Sequence, residues 1–138
     1  MHYKINHIAV WLAIVLQVGL SALWYSPLVF GEQWLSALGM TMADLDLGDY
    51  VPYLIAVGGT VLLTYFLAWL VVRLEATYPS EAVQIAFLLW LCVVVTEHAT
   101  HYTFQGVDYR VLLIDTGKTL VGLLIAALLL VSWRRRAV

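Results

Sequence analysis

Four stretches of about twenty residues, each almost free of charge, dominate this chain: residues 5–25, 51–73, 82–102 and 111–133. An α-helix rises about 1.5 Å per residue, so each is long enough to cross a hydrocarbon core about 30 Å thick. In that medium every backbone N–H and C=O must be satisfied within the segment, which makes helices the only open choice for isolated crossings. The sequence therefore predicts an all-α integral membrane protein, a four-helix bundle forming one domain over residues 1–138. Composition agrees, with 63% hydrophobic and only 12% charged residues, against about 25% charged in soluble domains. The first apolar run exceeds the roughly 7–15 residues of a signal-peptide core and flows into Trp24 and Tyr25 in place of a small-residue cleavage site, so it is expected to stay as a span.

A net charge of -2 offers no basis for a nucleic-acid partner. Cys92 is the single cysteine, which excludes an intrachain disulfide. The cations set the orientation. With four spans both termini share a side, and that side carries Lys4, Arg73 and the run Arg134-Arg135-Arg136, while the other carries Arg110 alone. Lys and Arg resist translocation, so both termini are expected in the cytoplasm and the arginine run against anionic lipid. The loop from Ser26 to Tyr50, with Glu32, Asp44, Asp46 and Asp49 and no Lys or Arg, then faces outward.

The first span ends in "WYSPLVFGEQW". Trp24 and Tyr25 are expected at the outer interface, in an aromatic belt with Tyr50, Tyr53, Tyr102 and Tyr109. Pro27 disfavours helical backbone at Ser26 and so ends the span, and Gly31 after Phe30 allows a tight change of direction. Beyond it Trp34, Leu35 and Leu38 share one face of a short helix that Gly39 would stop, expected to lie in the membrane surface. Thr41 followed by Asp44 has the pattern of an N-cap with an acidic third position, predicting one more helical turn.

Lipid gives apolar helices no reason to associate, so small residues must supply the packing. Three spans carry them at steps of four residues, with one step of three between Asp115 and Lys118: Ala9, Ala13, Gln17 and Ser21; Ala56, Thr60, Thr64 and Ala68; Asp115, Lys118, Gly122 and Ala126. The third is bulkier, with Ala86, Trp90, Val94 and then Glu97 or His98.

Charge inside the spans is confined to the last two. Glu97, His98 and His101 fall near the outer end of the third span, and Asp115 and Lys118 inside the fourth. An antiparallel hairpin about Gly106 and Val107 brings Glu97 to the depth of Lys118 and the histidines near Asp115, so an ion-paired network is expected, closed from the first span by Gln17, Ser21 and Tyr25. Three roles fit such a network. It handles a proton, ion or small solute through an outward-facing polar pocket; it is a buried latch fixing helix register; or Glu97, His98, His101 and Asp115 hold a divalent metal for membrane-enzyme chemistry. The order of residues differs from the HExxH of zinc proteases. No nucleophile–base pair or phosphate-binding loop is present, and nothing in the sequence requires a cofactor, which favours a non-enzymatic role. An accessory subunit docking a partner through the loop Leu28 to Tyr50 and the small-residue stripes is the competing reading, and a homo-oligomer or larger membrane complex is expected in either case.

The segments "SALWYSPLVFGEQWLSALGMT", "FLLWL" and "TFQGVDYRVLLIDTGKTLVGLL" resemble the bacterial four-span family known as domain of unknown function 1761, over nearly the whole chain. The WYSP-x-x-FG-x-x-W core carries most of the likeness. The resemblance implies a bacterial inner-membrane protein of four helices, with no biochemical activity attached. Where members of that family commonly show an Asn-x-Gly-Tyr-His-like pattern in the fourth span, this chain has Asp115, Gly117, Lys118 and Thr119.

Overall fold

The structure is a computed structural model that describes residues 3–136. Four helices are long and apolar enough to cross a membrane, His7–Trp24, Val51–Arg73, Pro79–Gln105 and Tyr109–Ser132, as the hydropathy pattern predicts. Local chemistry sets their ends. Asn6 caps α1 (His7–Trp24) by accepting from the N–H groups of Ile8 and Ala9. α2 (Gly31–Leu38) stops at Gly39, and Thr41 and Asp44 form the expected capping box over a single 3₁₀ turn, Met42–Asp44.

Pro52 stands in the first turn of α3 (Val51–Arg73), where a missing N–H costs nothing. The third span begins earlier than its apolar run because Pro79 and the capping carboxylate of Glu81 start α4 (Pro79–Leu89). It continues through a π-helical turn, Trp90–Val95, into α5 (Thr96–Gln105). Gly106, at φ 67°, closes α5 in a left-handed conformation that a side chain would strain. Asp108 then caps α6 (Tyr109–Ser132) by accepting from the Arg110 N–H.

α6 is the hub, and every other helix packs on it. The seam at the terminal end is made of small and branched residues: Ala9, Val10, Ala13, Leu67, Ala68, Ala82, Ala86, Leu123, Ala126 and Ala127 are buried together. The small-residue stripes are therefore half right. Ala9, Ala13, Thr64, Ala68, Gly122 and Ala126 pack as expected, but Ala56 does not, and residues 51–59 are exposed throughout.

The terminal end is also laced by polar groups. β1 (Tyr3–Lys4) pairs antiparallel with β2 (Arg135–Arg136), tying the two ends of the chain on one side of the bundle. Asn6 Nδ2 donates to the Trp133 carbonyl at 2.9 Å. The Arg134 guanidinium donates to the carbonyls of Val131 and Ala76, each at 2.7 Å, and to that of Thr77, with its carbon 4.7 Å above the Tyr3 ring. Arg134, expected against lipid headgroups, instead clamps the loop between α3 and α4; the side chains of Arg135 and Arg136 lie outside the described residues.

Candidate functional site

The loop-side end is built on α6 between Ile114 and Thr119. "WYSPLVFG" leaves α1 as a tight reversal: Phe30 N–H donates to Trp24 O at 3.0 Å and Gly31 N–H to Ser26 O at 2.9 Å, while Ser26 Oγ bonds Leu23 O. The backbone passes so close that a Cβ on Gly31 would stand 2.4 Å from Tyr25 O, which is why glycine is needed there. Phe30 packs against Trp24 with the rings tilted and centroids 4.8 Å apart, and Trp34 meets Tyr25 edge-on at 5.2 Å. This fold-back seats α2 against α6 with Leu35 buried.

Trp24 Nε1 donates to Ile114 O at 3.0 Å, and Tyr25 Oη donates to Asp115 Oδ1 at 2.6 Å. Tyr102 Oη donates to the other carboxylate oxygen, also at 2.6 Å, and Trp90 Nε1 to Thr116 O at 2.7 Å. Three of the six expected belt aromatics, Trp24, Tyr25 and Tyr102, thus turn inward because α6 offers acceptors that lipid does not. Tyr50, Tyr53 and Tyr109 are exposed as expected.

The expected Glu97–Lys118 pair is not formed. Glu97 and His101 are exposed, and the one ion pair among the described residues is Arg110 with Asp108 at 2.8 Å, outside the bundle. The hairpin does set the depths as anticipated, but rotation decides contact. Four-residue steps drift around an α-helix by about 40° each. The wider π turn at Trp90–Val95 takes up an extra residue and holds that drift back, so the stripe Ala86, Trp90, Val94 continues to His98 and Tyr102 against α6. Glu97 and His101 form the neighbouring stripe and face away. The four proposed metal donors consequently do not converge, and among the described residues no group of three His, Cys, Asp or Glu side chains could hold a metal ion.

His98 and Lys118 line one cavity of about 290 Å³, shared with Gln17, Ser21, Thr60 and Thr119. Gln17 is nearly fully buried; its amide donates to Thr64 Oγ1 at 2.8 Å and to Ala13 O at 3.2 Å, joining α1 to α3. Its side chain fits because Gly122 of α6 has no Cβ to meet it. The sequence reading names Gln17, Ser21, His98 and Lys118, and it misses Thr60, Thr119 and the Asp115 partner Tyr102. The spacing His98-to-Tyr102, one turn apart on the stripe that begins at Ala86, is the signal that would have found the last.

Outside the membrane-spanning helices the loop-side caps carry charge. The side chain of Arg110, then its backbone N–H, hold the Asp108 carboxyl down from its ordinary 3.8 to about 2. The backbone N–H of Thr41, then its hydroxyl, likewise lower that of Asp44.

The sequence model of a family described as Protein of unknown function (DUF1761) matches residues 8–131, nearly the whole of the four spans with the aromatic fold-back between the first two. No curated protein and no solved structure matches the chain. This four-helix membrane protein belongs to the DUF1761 family.

Proposed function

We propose that the protein handles a small ion or solute, without catalysis, through the cavity at its loop-side end. Lys118 carries this reading. It is an ammonium on the cavity wall inside a span, with no carboxylate in ion-pair reach among the described residues. A charge at mid-bilayer costs about 2.5–3.5 kcal/mol on insertion scales, and water or a bound ligand in the cavity offsets that cost where a protein partner does not.

The cavity faces the outside of a bacterial inner membrane, and both termini are cytoplasmic. Lys4, Arg73 and Arg134 support that orientation, together with the pairing of Tyr3–Lys4 with Arg135–Arg136, which keeps the chain ends together on the cation-rich side. α2 lies along the outer surface, its Glu32 and Gln33 exposed to water and Leu35 turned to the bundle. The test is flux. Reconstituted in liposomes, the protein should move protons or a small solute down an imposed gradient, and Lys118→Met should abolish that flux while leaving helicity intact. Absence of flux from the unaltered protein under every gradient would overturn the handling role.

A second reading is favoured by one observation: residues 51–59 of α3 are exposed throughout, and a Cβ built on Gly58 or Gly59 would meet nothing within 4 Å. An accessory subunit, or one copy in an oligomer, would present such a segment to a neighbouring helix. Co-purification of a stoichiometric partner in mild detergent supports it.

A further inference from the structure

We infer that the cavity takes a short carboxylate that also carries a hydrogen-bond donor, a hydroxy- or amino-carboxylate of a few carbons; this rests on the reading of the cavity as a solute site. The inference comes from which donors and acceptors its walls leave unused. Gln17 has two amide protons, and both are engaged, by Thr64 Oγ1 and Ala13 O. Its Oε1 has no donor, on a side chain only 9% exposed that lines the cavity.

The hydroxyls are polarised the same way. Ser21 Oγ donates to Gln17 O at 3.0 Å and Thr60 Oγ1 to Ala56 O at 2.9 Å, the usual back-bonding of such residues in helices, so each turns lone pairs to the cavity. His98 Nδ1 lies 2.8 Å from Val94 O. A carbonyl only accepts, so Nδ1 bears the proton of this bond. Against these stand the three N–H donors of Lys118, none of them engaged by another described residue.

Unused acceptors on Gln17, Ser21 and Thr60, set in an otherwise apolar wall and facing the Lys118 amine, suit few ligands. A metal cation would meet the Lys118 charge. A plain carboxylate or halide would satisfy Lys118 and leave Gln17 Oε1 facing it without a donor. A carboxylate with a neighbouring hydroxyl or ammonium group satisfies both sides, and about 290 Å³ accommodates one of a few carbons.

The experiment uses the full chain in lipid nanodiscs, with Cys92→Ala to remove the sole cysteine and Ala56→Cys to place a thiol on the cavity wall; Leu20→Cys is the second such position. Labelling by a small uncharged hydrophilic maleimide is followed with lactate, alanine, propionate or lactamide present. Lactate or alanine should protect the thiol at about tenfold lower concentration than propionate, which lacks the donor, or lactamide, which lacks the charge. Lys118→Met should remove the protection, and Lys118→Gln serves if that variant does not fold. Labelling without protection, or equal protection by propionate, overturns this ligand class and leaves the open cavity standing. No labelling at either position overturns the cavity as a solute site, and this inference with it.

Discussion

The two ends of the bundle are closed by different means. At the terminal end small side chains let α1, α3, α4 and α6 approach closely, and Asn6 and Arg134 stitch the chain ends and the α3–α4 loop over the seam. At the loop end the closure is aromatic and one-sided: Trp24, Tyr25, Trp90 and Tyr102 fasten α1 and the third span to α6, while the first two turns of α3 are left exposed. The open flank is where the cavity and Lys118 are found. Close packing and a reachable polar wall are alternatives in a chain this short, and this one places them at opposite ends.

Substitutions should separate the ends in order of effect. Gly31→Val forces a side chain into the carbonyl of Tyr25 and should destabilise by about 3 kcal/mol, the upper part of the overpacking range, read as a shift in the detergent unfolding curve. Arg134→Ala removes charge-assisted bonds to three carbonyls; it should cost about 2 kcal/mol and expose residues 74–78 to proteolysis without altering access to position 118. Tyr102→Phe removes one of two phenol donors to Asp115 and should cost about 1 kcal/mol, and a double-mutant cycle with Asp115→Asn should show coupling where Glu97→Gln with Lys118→Met shows none.

The smallest effect is on acidification. Because the folded-state value for Asp108 is depressed, its contribution is present above the ordinary 3.8 and is lost as pH falls toward about 2. The unfolding midpoint of Asp108→Asn should therefore converge on that of the unaltered protein over this range.

Hydropathy made the four helices legible, and the stop at Gly39 and the capping pair Thr41 and Asp44 were written in local residue chemistry, whereas the start at Pro79 lies ahead of the apolar run and hydropathy passes over it. Orientation of side chains about the third span was not. Glu97 and His98 are neighbours in sequence about 100° apart on a helix, so the π turn just upstream, Trp90–Val95, decides which of them faces α6. No periodicity in the sequence marks where such a turn falls. Formal charge also misled: Asp115 is met by two neutral phenols, a pairing that a search for opposite charges passes over, whereas the fold-back that aims Tyr25 at it depends on Gly31, whose role as a change of direction was readable.

Lys118 beside an open cavity, against a sealed seam two turns further along α6, is most directly tested by thiol reactivity at the two depths. In the Cys92→Ala protein, a hydrophilic maleimide should modify Lys118→Cys readily and Ala126→Cys hardly at all. Equal reactivity at both positions, or an inert thiol at 118, would contradict it.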